Sequence, residues 1–222
     1  MFTLLLLVAC DGGGDIGYPG TKMSDYFPMD GTRIATFANE DQKNFPDNLV
    51  VSTVEPREML DNREVVTLES RWDDDAQTLA GGVKWSVVEG GDTIITAWSG
   101  DDGSWTTFDT PVQITDPSGF MHKGDAVVTE TNGMTFTSIF SEVVECDPIW
   151  GADWNDCVHM VVCDTDEETC RNNGPNTSPA DGASRPNFVG EYWLVTRYFM
   201  SWFVTSGYDT KWNLANHDYV EE

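Results

Sequence analysis

The stretch DAVVTETNGMTFTSIFSEVVEC, residues 125–146, sets two alternating runs on either side of Asn132-Gly133. That dipeptide between β-branched and aromatic runs is the strongest short-range hairpin signal, because a type I′ turn needs positive φ at both central positions. Alternation places successive side chains on opposite faces of a strand, one toward a core and one toward water. The same texture extends in both directions. TRIATFA (32–38), LVVSTVE (49–55), REVVTLESR (63–71), GVKWSVVE (82–89), DTIITAWSG (92–100) and SWTTFD (104–109) read as strands before the hairpin. CVHMVVC (157–163), the long run FVGEYWLVTRYFMSWFVTSG (188–207) and KWNLANHDYV (211–220) follow it. Between the early runs lie turn formers such as Pro46-Asp47-Asn48, Asp73 to Asp75, Gly90-Gly91-Asp92 and Asp101-Asp102-Gly103.

Strand starts spaced by about 8–14 residues leave no room for intervening helices and predict an antiparallel meander. No ten-residue stretch carries a helical stripe. The one helical turn expected is PREMLDN (56–62), where Pro56 suits a first-turn position. The expectation is therefore an all-β fold with little helix and about 10–12 strands, arranged as a curved sheet, a half-barrel or a two-layer sandwich. RNNGPNTSPADGASRP (171–186) has no apolar periodicity and reads as a mobile surface loop.

With 222 residues, 40% hydrophobic and 12% aromatic, the chain can bury a core of ordinary size. Its charge is the outlier: 38 acidic against 12 basic side chains give a formal charge of −26. Such a surface repels phosphate backbones, and no basic stripe offsets it, so nucleic acid is excluded as a partner. Two readings of the charge remain, a solubilising surface suited to salty surroundings and an acidic surface that gathers divalent cations.

The N-terminus carries an address. Residues 2–9 are too few to span a bilayer as a helix, since about eight residues rise about 12 Å against a hydrocarbon core of about 30 Å. They are followed by DGGGDIGYPG, which is linker material. Leu7-Val8-Ala9-Cys10 resembles the lipobox of bacterial lipoproteins, in which an aliphatic, a variable and a small residue precede the cysteine. The resemblance implies a signal peptide over residues 1–9 and acyl chains on Cys10. Residues 10–24 then form a lipid anchor and flexible tether, and residues 25–222 a single β-domain. Several acyl chains hold firmly where one holds marginally. DYFPMDGTRIATF (25–37) and TSGYDTKWNLANHDY (205–219) are similar to the opening and closing segments of uncharacterised lipoprotein domains of the bacterial envelope. The implied setting is export, with anchorage to a bacterial membrane at its periplasmic face or at the cell surface.

The remaining cysteines, Cys146, Cys157, Cys163 and Cys170, crowd into residues 146–170. None forms a Cys-x-x-Cys pair, so two disulfides fit better than a zinc knuckle. A hairpin brings Cys146 opposite Cys157 and leaves Cys163 to pair with Cys170, one of three possible pairings. The loop between the first two holds Trp150 and Trp154, whose indole faces would stack on a sugar or seat a partner protein if exposed, or cover a small satellite core if not. Asp164, Asp166 and Glu168 alternate like the start of a calcium loop, but no glycine follows at the sixth position and no glutamate closes twelve residues, so a solvated turn is expected. His122, His159 and His217 are far apart in sequence, with His159 on the face of the cysteines. No nucleophile elbow, phosphate loop or dinucleotide fingerprint occurs. No cofactor or metal is expected, and the chain reads as a binding or structural module of the cell envelope with an unknown protein or glycan partner. Two other classes stay open: a carrier enclosing an apolar ligand among aromatics such as Trp85, Trp98, Trp193 and Trp202, and an enzyme whose site is assembled by the fold.

Overall fold

The computed structural model describes residues 20–27, 32–40, 47–60, 62–88, 91–144, 157–175, 185–195, 199–205 and 211–220, with the backbone alone at 32–33, 199–202, 204–205 and 216–220. Cys10, Cys146, Trp150 and Trp154 lie outside the described residues, as do the leader and most of the tether. Met23, within the segment read as tether, is fully buried in the core.

In chain order the elements are β1 (Thr21–Lys22), a 3-10 turn (Met23–Tyr26), β2 (Thr32–Asn39), β3 (Leu49–Leu60), β4 (Arg63–Trp72) and β5 (Leu79–Val87). Next come β6 (Thr93–Ser99), β7 (Trp105–Gln113), β8 (Phe120–Met121), β9 (Ala126–Thr131) and β10 (Met134–Val144). The chain ends with β11 (Cys157–Cys163), α1 (Glu167–Asn173), β12 (Gly190–Val195), β13 (Phe199–Thr205) and β14 (Trp212–Val220). The fold is thus all-β with little helix. Asn132 and Gly133 take φ of 51° and 74° between β9 and β10, the positive pair that a type I′ turn demands.

Twelve strands form one antiparallel sheet in the order β7-β6-β5-β4-β3-β2-β14-β13-β12-β11-β10-β9. Every pair of neighbours is consecutive in sequence except β2 and β14, which pair from Thr32–Val220 to Asn39–Trp212. Two meanders are therefore joined at their inner edges. β1 and β8 make a separate two-stranded ribbon.

Right-handed twist accumulated over so many strands curls the sheet, and its edges β7 and β9 meet. They share no backbone ladder, and the sheet does not close into a barrel. Side chains of β9 and its turn bridge the gap instead: the amides of Asp109, Thr110 and Gln113 donate to Asn132 Oδ1, Thr131 Oγ1 and Thr129 Oγ1 at 2.8–3.0 Å. Asn132 Nδ2 also donates to the Thr107 carbonyl at 2.9 Å. The edges of an open sheet are ordinarily a liability, and here they satisfy each other.

The concave face holds the main core, with Trp212, Phe37, Phe136, Phe140, Met160 and Leu194 almost wholly buried. The convex face of β10 and β11 is covered as well. There α1 lies over Ile139 and Val161, pinned by the Cys163–Cys170 disulfide. Coverage on both faces explains why Phe136 to Phe140 are all buried despite their alternation.

Two local expectations fail. Residues 56–60 of PREMLDN continue strand β3 and form no helical turn. Pro56 sits in the register shift between Val54 and Glu58, where the ladder asks nothing of its missing N–H. Conversely, the acidic segment after Cys163 is a helix. Asp166 caps it by accepting from the Thr169 amide at 2.9 Å, and the short length left no periodicity to read. The run 188–207 divides into β12 and β13, and of the expected loop at 171–186 the first residues, 171–173, belong to α1.

Candidate functional site

Alternation along the two facing halves of the curled sheet directs apolar side chains inward, and they do not fill the space. A cavity of about 100 Å³ remains. One wall is Leu49 and Val51 of β3, Leu68 and Ser70 of β4, Ala80, Val83 and Trp85 of β5, and Ile95 of β6. The other is Met160 and Val162 of β11, Tyr192 and Leu194 of β12, and Phe203 of β13. Among the described residues, none of the lining side chains is charged. Cavities of this order lined by aliphatic and aromatic groups stay dry and admit small apolar molecules, as the benzene-binding cavity of about 150 Å³ in an engineered lysozyme shows.

Two further segments, about Phe27 and about Phe188, contribute to its lining. In the first, Phe27 meets the edge of Trp85 at 5.6 Å, 84° between planes. It is held there by the preceding 3-10 turn, where the Met23 amide donates to the Gly119 carbonyl at 2.9 Å. The second is the segment 185–189. Phe188 packs against Phe108 and Phe136 at 5.9 and 5.4 Å. Arg185 pairs with Asp164 at 3.2 Å, with both side chains about four-fifths shielded. The Tyr192 hydroxyl donates to the Phe188 carbonyl, and burial pushes its phenol well above the usual range.

Asn187 also lines the cavity, whose other side-chain polar groups among the described residues are the Ser70 and Tyr192 hydroxyls and the Trp85 indole N–H. It presses on β5 at Gly81, where φ is 149° and an added Cβ would lie 2.6 Å from Asn187 Nδ2 and 3.0 Å from the Ser99 carbonyl. Its Oδ1 is shielded from solvent and accepts no hydrogen bond from the described residues. An unmatched buried acceptor costs roughly 1–3 kcal/mol.

The residues singled out from the sequence fall elsewhere or only partly here. Of the four aromatics proposed to enclose a ligand, Trp85 lines the cavity and Trp98 is buried in the core nearby. Trp193 points to the convex face, where His159 stacks on it at 4.3 Å. The Trp202 side chain is outside the described residues. His159 also approaches Glu191 at 3.3 Å, and Glu142 stands opposite it in β10. Cys157 is disulfide-bonded, while its expected partner Cys146 is not among the described residues. The calcium candidates do not converge: Asp164 faces Arg185, Asp166 caps α1, and Glu168 is exposed in its first turn. Among the described residues, no three His, Cys, Asp or Glu side chains gather as metal ligands would. Sequence reasoning missed Phe27, Asn187 and Phe188. The last two follow a run without periodicity, and their only signal was the apolar Phe188-Val189 pair after Pro186.

No protein-family description, curated protein or solved structure matches this chain.

Proposed function

We propose that this protein is a carrier or receptor for a small apolar ligand held inside its curled sheet, and that it is displayed outside the cell membrane on acyl chains at Cys10. The observation that carries the ligand reading is the apolar cavity between the two halves of the sheet, with no charged side chain among its described lining residues. An apolar space of this size favours an apolar occupant, since filling it restores dispersion contacts that its lining lacks. The anchor rests on the lipobox-like Leu7-Val8-Ala9-Cys10. The role is binding and not catalysis. A tether suits it, because a carrier at a membrane delivers apolar cargo over a short distance.

Two experiments test the two halves. Toluene added to the folded protein should give saturation-transfer NMR signals and raise Tm, and Ala80→Leu, which fills the cavity, should abolish both effects. Absence of signal and of any Tm shift in the parent protein would refute the ligand reading. For the anchor, metabolic labelling with a fatty-acid analogue should mark the parent and not Cys10→Ser. Equal label in both defeats that assignment.

A further inference from the structure

We infer that the rim of the curled sheet formed by the β3–β4 hairpin and the β5–β6 turn docks on the lipid bilayer that holds the anchor. The inference rests on the anchor half of the proposed function and adds the surface that meets the membrane. The apolar groups of the rim are Met59 and Leu60 at the end of β3 and Val88 after β5, which are 68%, 43% and 42% exposed. Met59 is the most exposed large apolar side chain among the described residues. Such side chains leave water on entering the boundary between headgroups and acyl chains.

Contacts place this rim where the tether begins. Leu60 pairs with Arg63, whose Nη1 meets Asp92 Oδ1 at 2.9 Å at the β5–β6 turn. The Gly91 amide in that turn donates to the Val88 carbonyl at 2.9 Å, and Gly119 lies against Gly91 with no room for a Cβ. The Gly119 carbonyl in turn accepts from the amide of Met23, shortly after Gly20. Ten residues, Cys10 to Pro19, precede Gly20, and ten residues reach at most about 35 Å. A domain of about 200 residues is about 40 Å across, so the opposite end, which carries the Asn132-Gly133 turn, does not reach the bilayer. Weak apolar contacts then suffice, because a short tether holds the rim at high effective concentration.

Charge at the rim agrees. Arg57 pairs there with Glu55 and Glu64, Lys84 with Glu58, and Arg63 with Asp92. Four carboxylates meet three cations in these pairs, whereas the whole chain sets 38 acidic against 12 basic side chains. A nearly neutral rim approaches zwitterionic headgroups without the repulsion that a strongly acidic surface meets at a membrane.

For the test, residues 10–222 are coupled through the Cys10 thiol to a maleimide lipid in phosphatidylcholine nanodiscs that also contain a nitroxide lipid. Methyl NMR signals of Met59, Leu60 and Val88 should lose about half their intensity or more, while those of Leu79 and Met134, at the opposite end, keep theirs. Met59→Asp with Leu60→Asp should cut the broadening of Val88 about three-fold and leave the other methyl shifts in place. The comparison within the parent protein decides the matter by itself should the variant not fold. Equal broadening of Met59 and Met134, no broadening of Met59, or undiminished broadening of Val88 in the folded variant overturns the docking. A dimer in sedimentation that the same substitutions dissolve assigns the rim to a second copy of the chain and overturns it as well. Coupling supplies the anchor chemically, so this result is independent of acylation in the cell, which the fatty-acid labelling decides.

Discussion

Single residues decide this fold at places where backbone and side chain compete for the same space. Gly81 is one: at φ 149° with Asn187 Nδ2 2.6 Å from a hypothetical Cβ, it admits no side chain without strain. Gly81→Ala should destabilise the protein by roughly 1–3 kcal/mol in urea unfolding. Adding Asn187→Ala should recover part of that loss, because it removes the clash with Asn187 but neither the Ser99 carbonyl contact nor the backbone strain. Full recovery, or no loss at all, would show the position to be tolerant. Asp166 is another. Hydrogen bonds from the Thr169 amide and hydroxyl hold its carboxyl below the ordinary value of 3.8. A lowered folded value means that the folded protein binds the proton less readily than the unfolded chain. The cap's contribution is then complete above pH 3.8 and is lost as pH falls through the depressed value. The Tm difference between the parent and Asp166→Ala should accordingly be constant near neutrality and shrink in acid. Asp166→Asn, which keeps an acceptor oxygen, should differ less and with little pH dependence.

At the level of elements, the informative feature is the seam between β7 and β9. Backbone amides of Asp109, Thr110 and Gln113 are satisfied by side chains and not by a ladder. Replacing both hydroxyls, Thr129→Val with Thr131→Val, leaves two amides without acceptors at about the same shape, at a cost of roughly 1–3 kcal/mol each. Hydrogen exchange should accelerate at Thr110 and Gln113 and stay slow in β3 and β4, where the ladder is untouched. Uniform protection across β7 in that variant would mean that water or a backbone shift replaces the seam. Much at this scale was legible beforehand. Asn132-Gly133 announced its hairpin because a two-residue turn is a local demand, and the strand runs followed from alternation. The second role of Asn132, reaching β7 through both atoms of its amide, was not legible, since Thr107 and Asp109 are remote in sequence. Helix α1 escaped notice because seven residues complete only about two turns. PREMLDN misled because the helix-start preference of proline was weighed without the register shift that accommodates it in β3.

Over the whole molecule, charge sets the response to the medium. Against 38 acidic side chains there are 12 basic ones. Several of the basic groups are already committed, such as Arg57 to Glu55 and Glu64, and Arg63 to Asp92. Salt weakens such partly exposed pairs, but it also screens a far larger self-repulsion, since the Debye length falls from about 30 Å at 0.01 M to about 3 Å at 1 M. Tm should therefore rise by several degrees between those limits in sodium chloride; a flat or falling Tm would mean that the ion pairs outweigh the net charge. Composition alone determined this property, just as alternation and turn chemistry determined an antiparallel, nearly helix-free meander, because each is local or additive along the chain. Tertiary structure alone decided that β14 returns beside β2, that two edges meet through threonine and asparagine side chains, and that Asn187 lines an apolar chamber against Gly81. Those outcomes depend on twist summed over twelve strands and on contacts between residues as far apart as 81 and 187, which no window of sequence brings together.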